Sequence, residues 1–460
     1  MLLMLEEKMY TEALYDLVGV VEERTTFPTV DEMHDFVEKL AANHPDLVEV
    51  STIGRSGAGE ELRKLTVGSG ARNILIVGNP HPNEPIGMAT IQHLARRLCE
   101  RPAMLEDLGA KWHFVPCIDP DGTRLNEAWY SGPHTRTNVA RNFYRQAMSG
   151  QAEWTFPVEH DGRVYGDPIP ETQALMRLID GTEPELVVTL HNADFGGGFF
   201  YVTGGDPSYW SGLTDILEHY GVEQEGGLPD LPGARKFAPG VFELVSFGQM
   251  YEALSVMDAE LAEEMLCGGS ARDYAAGVGA ATLICELPLW SDPRGFDNAS
   301  TGMPFGELMR LSASNLRSSG ELFDRMLSQV EGKLDTGSPF HSAMNDARSL
   351  IDEAAQSRMI DWQDDSQRYA TEAEVFMELR GTPDTLLLRA GGTLLRLLED
   401  SEPSPEVKNL HAELSEMFES WSREIELDRP GIPVPISDLV GIQSAAILMA
   451  ASRVREGLPV

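Results

Sequence analysis

The sequence has little positive charge. It contains 36 Lys and Arg residues against 73 Asp and Glu residues, and its formal net charge is −37. Only seven of the basic residues are Lys. An acidic surface repels phosphate backbones, so the composition argues against a nucleic-acid partner. Solubility and adaptation to high salt both explain such acidity, and we favour solubility, because net charge alone says little about function.

Cysteine is also scarce. The four cysteines (Cys99, Cys117, Cys267 and Cys285) are widely spaced along the chain, and two of them, Cys117 and Cys285, lie inside apolar runs typical of strands. This pattern predicts buried free thiols rather than a disulfide framework or a cysteine-based zinc site.

Long apolar runs are missing from the sequence. No stretch approaches the roughly 18 apolar residues that a membrane-spanning helix needs. The first residues, "MLLMLEEKMYTEALYDL", turn acidic after five positions and lack the apolar region of a signal peptide. We therefore expect a cytoplasmic protein with no membrane partner.

Apolar runs alternate with amphipathic segments through the first two thirds of the chain. Buried strands are predicted at 73–78, 112–118, 186–190 and 281–287, and helices at 87–99 and 171–180. "GRSGAGEELRKLTVGSG" predicts a hairpin, and Thr29 with Glu32 predicts a helix start closed by a capping box. Alternation of strands and helices indicates an α/β sheet covered on both faces.

The predicted elements divide the chain into three regions. These are an N-terminal helical extension (1–25), an α/β domain (26–335) with an elaborated segment at 204–269, and an α-helical C-terminal region (336–460). The last region carries a long apolar stripe, formed by Val407, Leu410, Leu414, Met417, Phe418, Trp421 and Ile425. Its helices could cover the α/β domain, form a homo-oligomer or bind a partner, because an apolar stripe must be buried somewhere.

Polar side chains follow or interrupt three of the predicted strands. His81 and Glu84 follow 73–78, His191 ends 186–190, and Glu286 lies within "TLICELPLW". Strand ends in an open α/β sheet are where ligands bind. Two imidazoles and one carboxylate form a common catalytic zinc set that leaves one position open for water. A second carboxylate, Glu286, would accept a proton from that water.

Alone, each of these residues has a plain structural explanation. His81 fits a polar loop, and His191 fits a strand end whose imidazole is hydrogen-bonded. Glu286 is harder to explain this way, because buried carboxylates are rare unless they are paired, ligating or catalytic. The four positions together favour a metal site.

Five short motifs occur in a fixed order along the chain. They are "GNPHPNEPIG", "DPDG", "RTNVARNF", "TLHN" and "ICEL". Together they resemble the zinc carboxypeptidase family, which comprises pancreatic-type metallocarboxypeptidases and their bacterial relatives. The resemblance covers about residues 27–330. It implies an α/β fold with a mixed, mostly parallel sheet between helices, and one zinc ion at the carboxyl edge of that sheet.

The resemblance also implies roles for single residues. His81, Glu84 and His191 match the zinc ligands of the family, and Glu286 matches its general base and proton shuttle. Since all four also follow from the strand-end pattern, the two arguments agree on the metal site.

Further positions match groups that contact the substrate in the family. Arg136 best matches the arginine that polarises the scissile carbonyl, with Arg124, closer to "DPDG", as the alternative. Arg141, with Asn142 beside it, matches the clamp for a terminal carboxylate, a task that suits a guanidinium because it forms two parallel hydrogen bonds. Tyr274 matches a mobile tyrosine that lies over the substrate.

The chain departs from the family pattern at two positions. Ala140 precedes Arg141 where the family usually has Asn, so one donor to the carboxylate is missing unless Asn138 or Asn142 replaces it. Asn192 follows His191 where Ser is usual. The first departure bears on strict C-terminal cleavage and leaves zinc binding unaffected.

These observations predict a zinc-dependent hydrolase of amide bonds. The expected activity is that of a metallocarboxypeptidase, which releases C-terminal residues from peptides. One alternative is a deacylase of small N-acyl amino acids, similar to a desuccinylase or aspartoacylase, which would share the metal set. The other is a non-catalytic zinc-site scaffold whose helical C-terminal region binds a partner.

Overall fold

The computed structural model describes residues 12–226, 231–257, 262, 266–359 and 368–460. Residues 1–11 of the predicted N-terminal extension lie outside the described residues, as do parts of the 204–269 segment and of the C-terminal region. The chain forms two compact units. The first comprises Met1–Tyr130, Met148–Leu289 and Val434–Val460, and the second comprises Ser131–Ala147 and Trp290–Pro433.

Both units contain strands as well as helices. The described strands are β1 (Val48–Arg55), β2 (Glu61–Val67), β3 (Arg72–Gly78), β4 (Ala110–Val115), β5 (Val158–His160), β6 (Arg163–Tyr165), β7 (Leu186–Phe195), β8 (Phe199–Val202), β9 (Lys236–Ala238), β10 (Val241–Glu243), β11 (Ala281–Ser291), β12 (Ser300–Pro304), β13 (Tyr369–Thr371) and β14 (Ile432–Pro433). The described α-helices are α1 (12–18), α2 (Val30–Asn43), α3 (Ile86–Glu100), α4 (Pro102–Leu108), α5 (Pro120–Arg124), α6 (Glu127–Tyr130), α7 (Arg136–Arg141), α8 (Pro170–Thr182), α9 (Pro207–His219), α10 (Phe247–Met257), α11 (Ala271–Ala275), α12 (Phe305–Gln329), α13 (Pro339–Ser357), α14 (Glu372–Phe376), α15 (Thr382–Asp400), α16 (Pro405–Asp428) and α17 (Ile436–Glu456).

A mixed sheet forms the centre of the first unit. Its strand order is β1-β2-β4-β3-β7-β11-β8-β10-β9. Strand β3 pairs in parallel with both β4 and β7, whereas β1–β2, β2–β4 and β8–β11 are antiparallel pairs. The prediction of an α/β fold with a mixed sheet is therefore confirmed. Parallel pairs surround β3, antiparallel pairs lie on either side of them, and β8 and β10 form a further parallel pair near one edge.

The register of the central strands brings their carboxyl ends to one edge. Strands β3 and β7 pair from Ile74–Leu186 to Gly78–Leu190. The amide of Ala281, at the start of β11, donates to the carbonyl of Glu185, directly before β7. Because β3, β7 and β11 start near one another, the residues after β3 and in the second halves of β7 and β11 meet at the same edge of the sheet.

Alternation along the strands separates the two faces of this sheet. Leu75, Val77 and Val187 pack in one buried cluster with residues of α8 and α11. Leu190 lies on the other face, where Gly87 in the first turn of α3 approaches it closely. Helices α3 and α17 cover that second face, since both contact β7 and each other.

Two local predictions are confirmed at the start of the fold. The Thr29 side chain accepts a hydrogen bond from the amide of Glu32 while the Glu32 carboxylate accepts one from the amide of Thr29, so the capping box of α2 is complete. Strands β1 and β2 form the predicted antiparallel hairpin. Its turn contains Gly59 at φ +96°, a left-handed conformation that Gly adopts readily.

Helix α17 belongs to the first unit although it follows the helical C-terminal region in sequence. It is buried along nearly its whole length, from Ile436 to Arg453. The predicted boundary at 335/336 therefore does not coincide with the division into units, which also assigns 131–147 and 290–335 to the second unit. A helical pattern shows that a segment must be buried, but not which core buries it.

The second unit consists mainly of helices. The apolar stripe of α16 is buried, with Val407, Leu414 and Phe418 inside, and this helix packs against α15. Helix α15 also packs against α7 so closely that a Cβ on Gly392 would lie 1.9 Å from the carbonyl oxygen of Ala140. The stripe read from the sequence is thus covered at least in part by helices of the same chain.

The cysteines agree with the expectation of free thiols. All four cysteines are free, and three of them, Cys99, Cys117 and Cys285, are buried. Burial raises the pKa of the Cys99 thiol to about 11, so this group stays protonated at neutral pH. Among the described residues no helix combines the length and the apolar character required to cross a membrane.

We predict that Gly87→Ala destabilises the first unit by about 1–3 kcal/mol. A Cβ at this position would lie 2.8 Å from the Cβ of Leu190, so helix and strand would have to move apart. Denaturant-induced unfolding measures the effect. Gly181→Ala in α8 is the matched control, because nothing lies within 4 Å of its Cβ position, and equal losses in both variants would contradict the packing argument.

Candidate metal centre

The loop after β3 is held in one backbone conformation. Asn79 is buried and has φ +48°, a left-handed conformation that Asn tolerates better than most residues. Its side-chain amide donates to the hydroxyls of Thr123 and Tyr130. The Tyr130 hydroxyl donates in turn to the carbonyl of Pro82. Since this proline also has a fixed φ, the loop is rigid where it presents its polar side chains.

The motif "DPDG" packs directly against this loop. The Asp119 carboxylate caps α5 by accepting from the amide of Gly122 at 2.9 Å. A Cβ on Gly122 would lie 2.8 Å from the side chain of Pro82. The glycine of the motif therefore allows α5 to approach the loop that carries His81 and Glu84.

Three buried side chains meet beyond this loop. Glu84 Oε1 lies 3.0 Å from His81 Nδ1, and Glu84 Oε2 lies 2.8 Å from His191 Nδ1. The two imidazole Nδ1 atoms are only 3.2 Å apart. The structure thus brings together the residues that the sequence placed at two separate strand ends, and each is at most 4% exposed.

The orientation of the His191 ring is set by its other nitrogen. Nε2 lies 3.0 Å from the hydroxyl of Thr189, two residues earlier on the same face of β7. If Nε2 carries the proton and donates to this hydroxyl, Nδ1 presents a lone pair towards His81 and Glu84. That tautomer is the one required of a metal ligand.

Asn192 connects the elements around the cluster. Its side-chain oxygen accepts from the amide of Ile86 at the start of α3, and its amide group donates to the carbonyl of Leu287 in β11. Its own backbone amide lies 3.4 Å from Glu84 Oε2. Asn192, which stands where the family usually has Ser, therefore joins the loop after β3, β7 and β11.

The charged groups of the cluster shift the pKa values of one another. Burial alone would raise the pKa of Glu84, but the imidazoles of His81 and His191 hold this pKa well below its usual range. Burial would lower the pKa of His191, but Glu286 and Glu84 outweigh it and raise the pKa to about 9. A negative site of this kind favours a cation, either a proton or a metal ion that displaces it.

Glu286 lies at the side of the cluster. Its Oε1 is 3.8 Å from His191 Nδ1, and its side chain is about 19% exposed, compared with 4% for Glu84. A carboxylate in this position is close enough to act on a molecule bound at the cluster and remains reachable from solvent. This combination suits a general base better than a fourth ligand.

The donor set fits zinc. His81, Glu84 and His191 place one donor atom each within 4.8 Å of one another. Two imidazole nitrogens and one carboxylate oxygen are the protein ligands of many catalytic zinc sites, and they leave a coordination position open. The cluster can therefore hold one divalent ion beside the carboxylate of Glu286.

Arg136 lies in the second unit and is buried there. Its guanidinium donates to the hydroxyl of Thr385 at 2.9 Å and to the carbonyl of Arg429 at 3.3 Å. The alternative, Arg124, belongs to the first unit and pairs with Glu60 and Asp31.

Arg141 and Asn142 also lie in the second unit. Arg141 forms an ion pair with Glu399 on α15. The side-chain amide of Asn142 donates to the carbonyl of Asn138 at 3.0 Å, which closes the end of α7. These contacts give both residues partners within their own unit, so their expected roles towards a substrate stay predictions.

Tyr274 has its described contacts outside the metal cluster, and its expected role over a substrate stays a prediction. Its hydroxyl donates to the carboxylate of Asp180, and its ring packs on Phe156. Asp180 lies near the end of α8, shortly before β7 begins, whereas His191 lies in the second half of that strand. The described contacts of Tyr274 thus lie towards the amino edge of the sheet, away from the metal cluster.

Sequence reasoning missed a second carboxylate near the cluster. Glu153 is only 2% exposed, and its Oε2 has no hydrogen-bond partner among the described residues. Burial raises its pKa to about 7, while His191 and the backbone amide of Ala271 lower it. No apolar run or motif marks Glu153, so only the folded chain reveals its burial.

Comparison with known proteins agrees with this geometry. Residues 33–215 match the zinc carboxypeptidase family. Carboxypeptidase B of Astacus astacus is 27% identical over 171 residues, covering 34% of this chain and 55% of that protein. Zinc carboxypeptidase A 1 of Anopheles gambiae is 30% identical over 112 residues, covering 22% of this chain and 26% of that protein.

Solved structures give a weaker likeness. Carboxypeptidase A from Helicoverpa armigera superposes with a TM-score of 0.38 at 14% identity, covering 58% of this chain and 66% of that one. The chain spans about half the length of the Astacus relative and a quarter of the Anopheles one. The family match includes His81, Glu84 and His191 and ends before Glu286. Residues 33–215, which hold the three candidate ligands, are therefore the part of this chain that matches a zinc carboxypeptidase domain.

Proposed function

We propose that this protein is a zinc-dependent metallopeptidase that hydrolyses amide bonds. One observation carries the proposal: the donors of His81, Glu84 and His191 converge, with the carboxylate of Glu286 3.8 Å from His191. Neither the three donors nor the Glu286 carboxylate alone distinguishes an enzyme from a metal-binding scaffold. Together they provide a metal site and a separate, partly exposed base.

The three ligands and Glu286 have separate roles in the proposed reaction. His81, Glu84 and His191 hold the ion, which when bound polarises the scissile carbonyl and makes water a stronger acid. Glu286 removes a proton from the attacking water and then delivers a proton to the leaving amine. Because Glu286 has some exposure, water can reach it between turnovers.

We further propose that the substrate is a peptide with a free C-terminal carboxylate. Arg141 is the candidate group for that carboxylate, and its ion pair with Glu399 leaves other N–H donors for a second partner. Asn138 and Asn142, each two positions from Ala140, are the side chains that could replace the missing donor. For Arg136, a role at the carbonyl would require its contacts with Thr385 and Arg429 to be exchanged.

Other expectations stay predictions. A substrate-binding role for Tyr274 rests on the motif alone, since its described hydrogen bonds go to Asp180. The cytoplasmic location and a homo-oligomer formed through the helical region rest on the sequence alone.

We predict that the purified protein binds about one zinc ion per chain and that His191→Ala loses it, because two ligands bind zinc far more weakly than three. Metal content measured by mass spectrometry checks this. His44→Ala, at the C-terminal end of α2, is the control and should keep the metal. Zinc retained at the wild-type level in His191→Ala would remove this residue from the ligand set.

We predict that Glu286→Gln lowers kcat by about 10²–10⁴-fold while zinc content stays unchanged, since an amide cannot take up the proton. Steady-state kinetics and metal analysis of the same preparation separate the two effects. Glu185→Gln, a half-exposed carboxylate just before β7, should keep full activity. An active Glu286→Gln enzyme would overturn the proposed mechanism.

We predict that peptides with a free C-terminus lose their last residue, whereas the same peptides with an amidated C-terminus are cleaved at least about tenfold more slowly, because a charge-assisted pair with Arg141 is lost. Chromatography of timed digests measures both rates. Faster hydrolysis of N-acyl amino acids than of any peptide would replace the peptidase proposal with a deacylase. Zinc binding without hydrolysis of either class would leave a scaffold.

A further inference from the structure

One polar residue of α17 reaches the strand that carries His191. Gln443 is fully buried, and its amide nitrogen donates to the backbone carbonyl of His191 at 3.1 Å. Its amide oxygen accepts from the hydroxyl of Thr90 on α3 at 2.6 Å. These partners are separated from Gln443 by 252 and 353 positions in the chain.

The chemistry of the partners fixes the orientation of this amide. A backbone carbonyl only accepts hydrogen bonds, so the amide nitrogen must face His191. The oxygen then faces Thr90, whose hydroxyl donates to it. Both contacts of the Gln443 amide are therefore satisfied in only one of its two orientations.

One of the elements joined by this amide carries a candidate metal ligand, and the other directly follows the loop that carries two. Helix α3 begins two residues after Glu84, and His191 is part of β7. The rest of α17 around Gln443 is packed with apolar and small side chains. Burying an amide among them costs free energy unless its hydrogen bonds are made, so packing alone would favour an apolar residue here.

We propose that Gln443 is a positioning residue for the metal centre. It fixes the position of the β7 backbone at His191 relative to α3, the helix that follows Glu84. This inference rests on the proposed zinc site and adds to it the requirement for a residue of the C-terminal helix. Gln443 touches neither the ion nor the substrate. It acts through the backbone of one ligand and through the helix that follows another.

The test is zinc affinity, measured by chelator competition on the full chain. Gln443→Met keeps the side-chain length and removes both hydrogen bonds, and we expect it to weaken zinc binding by about tenfold. Thr90→Val removes only the hydroxyl that orients the amide, so its effect should be in the same direction and smaller. Both variants break the same link, which runs from Thr90 through Gln443 to His191. The double variant should therefore bind zinc no more weakly than Gln443→Met alone.

Ser444→Ala is the matched control. Ser444 is equally buried on α17, and its hydroxyl has no hydrogen-bond partner among the described residues. We expect its zinc affinity to stay within about twofold of the wild type, a change well below the effect of losing a group that orients a ligand. Thermal unfolding of the metal-free variants shows whether a loss of affinity exceeds a general loss of stability.

The outcomes separate this inference from the function on which it rests. Wild-type zinc affinity in folded Gln443→Met, or an equal loss in Ser444→Ala, would overturn the positioning role while leaving the metallopeptidase proposal intact. If Gln443→Met does not fold, Thr90→Val decides, and wild-type affinity in that variant would overturn the role. Absence of zinc binding by the unaltered protein would overturn the proposed function itself.

Discussion

The carboxylate of Glu84 holds two imidazole rings within hydrogen-bonding distance in a place almost closed to water. Three donor groups buried this closely favour a cation among them, because lone pairs that face one another repel. The surrounding structure keeps them in place. The loop after β3 is fixed by Asn79 and its prolines. At His191, Thr189 orients the ring and Gln443 binds the backbone carbonyl.

Most polar groups behind the cluster have definite partners, and this gives the site its rigidity. Thr189 orients the His191 ring, Asn192 joins β7 to β11 and to the start of α3, and Gln443 joins α17 to α3 and β7. A buried hydrogen bond contributes little net stability but costs much when it is broken. Such contacts therefore select one arrangement of the ligands, whereas the apolar core around them would tolerate several.

The metal site and the arginines expected to bind substrate belong to different compact units. Arg141 pairs with Glu399, and Arg136 bonds to Thr385, both inside the second unit. In an acidic chain, a guanidinium finds carboxylate partners easily, and a motif match cannot distinguish a substrate clamp from an ion pair. The motif "RTNVARNF" thus identifies arginines of the type that binds a carboxylate, but it does not indicate which carboxylate each of them binds.

Local sequence patterns were enough to predict the α/β class, the central strands, the hairpin, the capped helix α2 and the candidate ligands. All of these depend on patterns within a few residues: a run of β-branched side chains, a Thr followed by Glu, or His81 three residues before Glu84 on one loop. Long-range packing was needed to show that α17 joins the first unit, that Glu153 is buried, that Tyr274 faces Asp180 and that Gln443 meets His191. Each of these depends on contacts between residues far apart in the chain, and local periodicity carries no information about which distant surface a side chain will meet.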